Sequence, residues 1–463
     1  MKKIAIIGGG AAGLAAAIAA GNELARLGAA DECEIVLLEA DPERVGRSIL
    51  ATGNGRCNFS NAHIDPACYR NADFVEAALR SLARLSEVSE WGSIQPVGAY
   101  GTPAQGSAQP AGAFEAPGRE SSQPASAFEA PVQRFFSDLG LMWREEGEGR
   151  MYPVANKASS VLDVLRAALD VSGARVEFGK ALRAIEASAR GKGRFHLRFS
   201  DGSIAHAEKV VLAVGGRGVN AVDTSSVIPC ELTRPVLGPL ATDSRITRQL
   251  NNIRVKCAVS LERSGSLVAR EEGELLFRDY GVSGVCVFNL SRFACEGDVL
   301  SIDFLPHMPA ADRDAWLFAR RKHLSARLGE NGQIAAEDVL RGAMLPQVAQ
   351  VLCKCAGIDP ARPLSKKDVL ALSRVIGGLR LTVRGVGDAK QCQVSRGGLS
   401  IATFDPQTMG AVRASGLFAA GEALDVDAPC GGYNLHWAWS SGLLAGVSAA
   451  RSAVSADGEG EGE

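Results

Sequence analysis

The sequence predicts an α/β fold in which a discontinuous, Rossmann-like dinucleotide-binding domain encloses an inserted domain that is β-rich and then helical. Two observations predict this fold. The chain opens with strand-like KIAII, a glycine turn, a helix-like Ala-rich run and a second strand-like run, CEIVLLE. Near its other end, strand-like GLFAAGE precedes another glycine turn and a small-residue helix. A length of 463 residues suits two or three domains.

Composition narrows the classes of function. The chain has 50 basic and 52 acidic side chains. It therefore lacks the positive electrostatic field that attracts nucleic acid or an anionic membrane. The 11 cysteines contain no CxxC pair, which argues against a disulfide framework and a zinc site. We therefore expect a cytoplasmic protein with a small-molecule substrate, no metal, no nucleic acid and no membrane partner. The oligomeric state stays open.

Five segments make up the predicted domain organisation. The dinucleotide-binding domain comprises residues 1–238 and 386–453, and residues 239–385 form the inserted domain. Residues 98–131 read as a disordered low-complexity insertion, because QPAGAFEAP recurs as QPASAFEAP without an apolar period. The acidic residues 454–463 are predicted to be a disordered tail.

Shorter patterns predict individual elements. Val75, Leu79 and Leu82 share one face of a predicted helix. The run RFHLRFSDGSIAHAEKVVLAVGG predicts a β-meander around the turn Ser200–Asp201–Gly202. In the inserted domain, ELLFRDYGVSGVCVFNLS is strand-like throughout.

The first glycine turn has the spacing GxGxxG at Gly8, Gly10 and Gly13. The first glycine permits the tight turn, the second lets backbone amides approach a pyrophosphate, and the third lets the helix pack on the strand. Glu39 ends the second strand, where a carboxylate can accept hydrogen bonds from ribose hydroxyls. The alternative is a Gly-rich turn beside a surface glutamate.

GxGxxG does not distinguish NAD from FAD, but the C-terminal stretch does. Gly421 and Glu422 follow a short apolar run, as in the second fingerprint of FAD enzymes, where a carboxylate holds the ribityl hydroxyls. A helix that begins near Gly432 can direct its N-terminal dipole at the flavin. These features predict a glutathione-reductase-type FAD fold. The alternative is an ordinary closing helix packed on the sheet.

A third stretch, VGRSILATGNGRCNFSN, combines glycines that permit close approach with arginine and asparagine donors. It is either a flavin-binding loop or a plain turn. No second cysteine lies near Cys57 in the sequence, which favours a bystander thiol. The residues of this stretch predicted to bind the cofactor are Gly46, Arg47, Gly53, Asn54, Arg56, Cys57 and Asn58.

Six ordered motifs resemble one family. They are GRSILATGNGRCNFSN, GRMYPVANKASSVLDVL, KVVLAVGG, GVSGVCVFNLSR, QVSRGGLS and GLFAAGEALDVDAPCGGYNLHWAWSSGLLAG. In this order they are similar to signatures of the BaiN/RdsA-like NAD(P)/FAD-dependent oxidoreductases, or aminoacetone-oxidase-type FAD enzymes. The resemblance implies a β-barrel-like plus helical inserted domain, bound FAD, and NAD(P)H as co-substrate, with NADH favoured. The other motif residues predicted to bind FAD are Ala11, Ala12, Ala40, Gly215, Asp425, Tyr433 and Asn434.

Two departures from the family pattern bear on the substrate. After AVGG the family has a Gly- and Ser-rich loop, whereas this chain continues RGVNAVDTSSVIPCELTRPVLGPL. His436 stands where the family usually has glutamine. Both His436 and Tyr433 are candidate catalytic residues, as proton donors in the first turns of the flavin-facing helix. The alternative for each is a packed side chain.

Three hypotheses for the function remain: two are implied by the resemblance, and the third comes from another class of function. In the first, NAD(P)H reduces the flavin, which delivers hydride to a conjugated C=C of an enone, such as a dehydro-bile acid or related steroid. In the second, an amine such as aminoacetone reduces the flavin, and oxygen reoxidises it with release of hydrogen peroxide. In the third, the protein is a flavin-containing sensor without turnover. The motifs do not separate the first two readings.

Overall fold

The computed structural model describes residues 1–88, 128–188, 194–328 and 334–455. Of the predicted insertion, residues 98–127 lie outside this range, and residues 128–131 lie inside it. The tail from residue 456 onward also lies outside the described residues. No helix among the described residues combines the length and the apolar character needed to cross a membrane.

The chain opens with the predicted order of strand, helix and strand. The strands are β1 (Lys2–Ile7), β2 (Cys33–Leu38), β3 (Ser60–Asn61), β4 (Trp143–Glu146), β5 (Arg150–Pro153), β6 (Arg175–Glu177), β7 (Leu182–Ala187), β8 (Phe195–Phe199), β9 (Ile204–Ala207), β10 (Lys209–Leu212), β11 (Cys230–Val236), β12 (Leu240–Thr242), β13 (Arg254–Arg263), β14 (Ser266–Arg278), β15 (Gly281–Ser283), β16 (Val299–Asp303), β17 (Leu379–Val386), β18 (Val394–Leu399) and β19 (Leu417–Ala419). The helices are α1 (Ala11–Arg26), α2 (Arg47–Ala51), α3 (Ala72–Val88), α4 (Ala130–Asp138), α5 (Ala158–Val171), α6 (Gly215–Val219), α7 (Ser244–Thr247), α8 (Val285–Ser291), α9 (Ala310–Leu328), α10 (Pro346–Cys355), α11 (Lys366–Ile376) and α12 (Tyr433–Ser455).

A five-stranded parallel sheet confirms the predicted α/β fold. Its strand order is β19-β10-β1-β2-β6, and all four neighbouring pairs are parallel. Residues 4–7 of β1 are buried, as the central strand of a sheet covered on both faces requires. The last strand of the chain thus joins the sheet that the first strand begins. Parallel strands bring their carboxyl ends to one edge, which is where ligands bind in open α/β sheets.

Helices α1 and α12 pack in direct backbone contact. A Cβ atom built on Gly442 would lie 2.4 Å from the carbonyl oxygen of Ala12, and one on Gly446 would lie 2.3 Å from that of Ala16. Both distances are shorter than any real contact, so only glycine permits this approach. The closing helix is therefore held against the first helix of the chain.

Two smaller antiparallel sheets accompany the parallel one. The strands β7, β8 and β9 form the predicted meander, and Gly202 adopts a φ of 80° in the turn between β8 and β9. The second sheet has the order β3-β5-β4. The predicted apolar face of α3 is also found, since Val75, Leu79 and Leu82 are buried.

The inserted domain contains a closed six-stranded barrel, β12-β15-β14-β13-β16-β17, and the helices α9, α10 and α11 lie in the sequence between β16 and β17. This arrangement confirms the predicted barrel-like and helical character. The chain divides into one compact unit of residues 1–233 and 397–463 and a second of residues 234–396, whereas the sequence predicts residues 239–385 for the insert. The chain passes from the first unit to the second within β11 and returns within β18, and these two strands pair. Because each boundary lies inside a strand, no loop in the sequence marks it.

One predicted strand is wrong. After Gly281–Ser283, the run VCVFNLS forms α8 rather than a continued strand. Gly284 has a φ of 107°, and a Cβ there would lie 2.2 Å from the carbonyl oxygen of Glu274, so the chain turns sharply at this residue. Cys286, Val287 and Leu290 are then buried, which is the spacing of a helix face.

Candidate functional site

The first glycine turn has the conformation that its sequence predicts. Gly8 adopts a φ of 103°, and its N–H donates to the carbonyl oxygen of Leu38 at 2.8 Å. A Cβ on Gly13 would lie 1.8 Å from the carbonyl oxygen of Gly8. These two glycines are therefore needed for the turn itself and for the packing of α1 on β1.

Gly10 differs from Gly8 and Gly13 because a Cβ built there would meet no backbone atom within 4 Å. Its backbone is extended, with a φ of −81°, and the nearest atom to a Cβ built there is Ser48 Oγ at 3.4 Å. The first N–H groups of α1, at Ala11 and Ala12, have no acceptor within the helix. A phosphate group fits in front of Gly10, where these amides and the helix dipole favour negative charge.

Glu39 braces the turn. Its Oε2 accepts from the N–H of Gly9 at 2.6 Å, and its Oε1 accepts from the N–H of Asp41 at 2.7 Å. A carboxylate has about four acceptor positions, so two bonds leave capacity for ribose hydroxyls. Ala40 beside it is exposed. The structure therefore fits the predicted ribose-binding role and adds a structural one.

Gly46 and Arg47 lie next to this turn. The N–H of Gly46 donates to the carbonyl oxygen of Gly9 at 2.7 Å. A Cβ on Gly46, whose φ is 76°, would lie 2.2 Å from Leu162 Cδ1. Arg47 is exposed and pairs with Asp41 at 3.3 Å. Gly46 thus fixes the loop position, and the guanidinium of Arg47 stays at the surface.

The loop of residues 53–58 is strongly turned, with positive φ at Gly53, Asn54, Gly55 and Cys57. Arg56 donates to Asn156, pairs with Glu146 and lies 4.1 Å from the ring centre of Tyr152. Its guanidinium is thus bound to the β4–β5 hairpin and its flank.

Asn58 has a similar role, since its Oδ1 accepts from the N–H of Met151 at 3.0 Å. Both side chains therefore hold the shape of the loop, Arg56 as a donor and Asn58 as an acceptor. Cys57 is buried, and burial raises the pKa of its thiol to about 11. A neutral buried thiol favours the bystander role.

The second fingerprint lies against the first turn. Gly421 has a φ of 65°, and a Cβ there would lie 2.9 Å from that of Ala12. Its N–H donates to Ser441 Oγ at 2.9 Å, and its carbonyl accepts from Trp437 Nε1 at 3.2 Å. Since β19 and β10 are neighbours, Glu422 and Gly215 follow at the same sheet edge as Gly10. The structure thus brings together residues from distant parts of the sequence that are predicted to bind FAD.

Asp425 and Asn434 bind protein groups. Asp425 accepts from Arg70 Nε at 2.9 Å and from the N–H of Gly397 at 2.8 Å. The side-chain amide of Asn434 bonds both the N–H and the carbonyl of Ala428, each at 2.9 Å. Their side chains hold the loop before α12, which supports a positioning role.

The N-terminus of α12 is fixed by Gly432. This residue has a φ of 100°, and a Cβ there would lie 2.2 Å from the carbonyl oxygen of Ser60. The helix begins at Tyr433, one residue after the predicted start. Its first turn therefore lies beside the loop that carries Asn58.

Tyr433 is bonded at both ends. Its hydroxyl donates to the carbonyl oxygen of His63 at 2.9 Å, and its own carbonyl accepts from the hydroxyl of Tyr69 at 2.8 Å. Burial raises the pKa of Tyr433 to about 12, so the phenol is protonated at neutral pH. Its hydrogen is already given to a backbone carbonyl, which favours the packed alternative.

His436 is fully buried between two partners. Its Nε2 lies 3.1 Å from the carbonyl oxygen of Phe128, and its Nδ1 lies 2.9 Å from Ser60 Oγ. A carbonyl only accepts, so Nε2 carries the hydrogen and Nδ1 accepts from the serine hydroxyl. Burial lowers the pKa of His436 to about 3. The environment favours a packed neutral histidine over a proton donor.

A pH dependence of stability follows from His436. The imidazole has a pKa of ~6.5 in the unfolded chain and of about 3 in the folded protein. Between these two pH values unfolding takes up a proton, so the free energy of unfolding decreases as the pH is lowered. We expect His436→Gln to escape this loss, which is about 2 kcal/mol at pH ~5. Urea unfolding at pH ~8 and ~5 measures the difference, with His323→Gln, an exposed change, as the control. An equal difference from wild type at both pH values would contradict the prediction.

Sequence reasoning missed several residues that hold the site. Ser60 forms a hydrogen bond with His436, and Ser441 accepts one from the N–H of Gly421. Trp439 Nε1 donates to the carbonyl oxygen of Phe59 at 2.9 Å. A polar serine at position 441 among the small residues of α12 is the one available signal. Its partner on another element could not be read from the sequence.

Comparison with known proteins gives the family. A model of the HI0933-like protein Rossmann domain matches residues 116–448, which is more than half of the chain. The chain belongs to the HI0933-like family. This family membership agrees with the observed parallel sheet and with the resemblance of the six motifs.

Two curated relatives and one solved structure are similar to the chain. The 3-dehydro-bile acid delta(4,6)-reductase of Clostridium scindens is 29% identical, covering 97% of this chain and 99% of the relative. A ribosomal RNA dihydrouridine synthase of Escherichia coli is 25% identical, covering 94% and 95%. The 3-ketosteroid-delta4-(5alpha)-dehydrogenase of Rhodococcus jostii RHA1 is 14% identical, covers 97% of each chain and has a TM-score of 0.42. The family and the curated relatives support a FAD-dependent oxidoreductase.

Proposed function

We propose that the protein is an ene-reductase that uses NADH and bound FAD to saturate a C=C bond conjugated to a carbonyl, with a steroid-like enone as substrate. The observation that carries this proposal is the similarity to the bile-acid delta(4,6)-reductase, which extends over nearly the full length of both chains. The open space in front of Gly10 supports the cofactor part.

The names of the curated relatives favour reduction over amine oxidation. A 3-dehydro-bile acid with delta-4,6 double bonds is a conjugated ketone. Dihydrouridine is uridine whose ring C=C, conjugated to a ring carbonyl, has been saturated. Both names therefore describe addition of hydrogen to the same kind of bond. When bound, FAD supplies the hydride transfer that such a reaction needs.

The chain's own residues bind and orient. The α1 amides beyond Gly10 would hold the pyrophosphate, and Glu39 would accept from the ribose. The first turn of α12, fixed by Gly432, would direct its N–H groups at the flavin and favour negative charge there. Tyr433 and His436 already bond His63 and Ser60, so we assign them to positioning this helix. Water is then the proposed proton source.

The proposed nicotinamide donor would act without a second Rossmann domain. Outside the five-stranded parallel sheet, the described residues form a barrel, two three-stranded antiparallel sheets and the β11–β18 pair. None of these has the parallel βαβ order that binds a dinucleotide. We therefore infer that NADH would bind without a dinucleotide-binding fold of its own among the described residues and would leave after each turnover.

Anaerobic mixing of the purified holoprotein with NADH tests the function. We expect NADH to bleach the visible flavin absorbance and a 3-oxo-4-ene steroid to restore it, with one steroid saturated per NADH consumed. Uridine-containing RNA and aminoacetone serve as parallel additions. If aminoacetone bleaches the flavin, NADH does not, and oxygen restores the colour with peroxide release, the oxidase reading replaces the proposal. Recovery with RNA but not with the steroid would contradict the substrate class.

A further inference from the structure

Two buried cysteines of the barrel domain lie next to each other although they are far apart in the sequence. Cys257 belongs to β13 and stands opposite Gly273 in the antiparallel register with β14. Cys286 lies in the first turn of α8. The exposed fraction is 2% for Cys257 and 1% for Cys286. The Cys257 thiol is within hydrogen-bonding reach of the Cys286 thiol.

Gly273 has no side chain, and this leaves room for Cys286 next to the strand position opposite Cys257. A Cβ built on Gly273 would lie 3.5 Å from the Cβ of Cys286. Directly opposite residues in an antiparallel pair have Cβ atoms about 4.5–5.5 Å apart. Cys286 thus lies beside the position that a cross-strand partner of Cys257 would take. A disulfide, which joins cysteines whose Cβ atoms are about 3.5–4.5 Å apart, would therefore link β13 to the start of α8.

The backbone around Cys286 is held in place. Gly284 packs against Glu274, where a Cβ would lie 2.2 Å from the carbonyl oxygen. The Cys286 thiol donates to the same carbonyl oxygen at 3.3 Å. The start of α8 is therefore fixed on β14, directly beside the strand that carries Cys257.

We propose that Cys257 and Cys286 form an oxidisable dithiol, which hydrogen peroxide converts into a disulfide that joins β13 to α8. One sulfur attacks peroxide, breaks the O–O bond and becomes a sulfenic acid, with release of water. The second thiol attacks that sulfur, forms the S–S bond and releases a second water. Two thiols are oxidised by two electrons, and one peroxide is reduced to two waters. A dithiol reductant reverses the change.

The hydrogen bond between the two sulfurs favours the thiolate of one of them, since a bond donated by Cys257 lowers the pKa of Cys286. The thiolate is the species that attacks peroxide, and the other thiol then completes the disulfide. By contrast, Cys353 and Cys355 are two residues apart on α10, one buried and one exposed, and such positions do not face each other.

Peptide mapping of the oxidised holoprotein tests the proposal. Trypsin cuts after Lys256, Arg263, Arg278 and Arg292, so the two cysteines lie in separate peptides, CAVSLER and DYGVSGVCVFNLSR. After peroxide treatment and alkylation, we expect these peptides in more than half of the molecules to be joined, with a mass two hydrogens below their sum. A dithiol reductant should separate them and return two alkylatable thiols.

Two variants sharpen the test. Cys286→Ser should abolish the cross-linked peptide, whereas Cys295→Ser, which removes an exposed thiol of the same unit, should leave its yield unchanged. The wild-type measurement stands by itself if Cys286→Ser fails to fold. Sulfinic acid at Cys286 without a cross-link, or two unmodified thiols after peroxide has oxidised the exposed cysteines, would overturn the proposal. So would a preferred cross-link from either cysteine to a third one.

Discussion

Replacing Gly10 by valine is expected to weaken FAD binding by about 100-fold or more while the protein stays folded. The Gly10 backbone is extended, so a β-branched residue fits its conformation, and a Cβ meets only Ser48 Oγ at 3.4 Å. The added methyl groups would fill the space in which the pyrophosphate has to approach the α1 amides. Overpacking of this kind costs about 3 kcal/mol, which is about two powers of ten in affinity.

The measurement is the amount of FAD per chain after purification, and the affinity of the apoprotein for added FAD. Gly147→Val is the matched control, because a Cβ there meets nothing within 4 Å. Circular dichroism of both variants should match the wild type. If Gly10→Val keeps a full complement of FAD, the cofactor lies elsewhere and the site assignment is wrong. Gly13→Val is expected to fail differently, by unfolding, because its Cβ would overlap the carbonyl of Gly8.

The parts of the site that the sequence predicts well are those determined by local backbone geometry. Gly8 needs its positive φ and Gly13 needs its close packing, and both requirements follow from the turn between one strand and the next helix. Glu39 follows from the end of the second strand. In each case the relevant neighbours lie within one βαβ unit, so the spacing alone contains the information.

The hydrogen-bond partners of side chains are harder to predict from the sequence, because they come from distant segments of the chain. Arg56 has the donors that a flavin edge would use, yet the structure binds it to Glu146, and Asn58 uses its side-chain oxygen to accept from the N–H of Met151. Nothing in GRCNFSN shows that a hairpin some ninety residues later supplies these partners. A donor-rich loop therefore predicts hydrogen bonds without saying whether cofactor or protein receives them. A similar ambiguity made the seven residues of α8 look like a strand, since short apolar runs suit either element.

The sequence predicts where the closing helix lies along the chain but not how closely it packs on α1. The sequence indicates a small-residue helix after Gly432, and the structure shows why the residues are small. Gly442 and Gly446 are one turn apart and face Ala12 and Ala16, so the carbonyls of these two alanines lie where side chains of α12 would be. The contact joins the last helix to the first turn that is proposed to bind the pyrophosphate. Stability and cofactor binding should therefore be linked at this contact.

Gly442→Val is expected to lower the free energy of unfolding by about 3 kcal/mol and to reduce FAD content as well. A Cβ at this position would lie 2.4 Å from the Ala12 carbonyl oxygen and 3.1 Å from its Cα. These are backbone atoms, so the helices have to separate, and overpacked cores lose about 1–3 kcal/mol or more. Because Ala12 belongs to the first turn of α1, that separation would also displace the amides beyond Gly10.

Urea unfolding of the apoprotein and FAD titration measure the two effects of Gly442→Val. Ser448→Val is the control, because it places the same β-branched residue on a partly exposed face of α12 and should change neither quantity by much. The contrast with Gly10→Val separates the causes, since that variant should lose FAD with little loss of apoprotein stability. Full stability in Gly442→Val would mean that α1 and α12 are not in backbone contact. Lost stability with unchanged FAD affinity would mean that the contact holds the fold without positioning the turn.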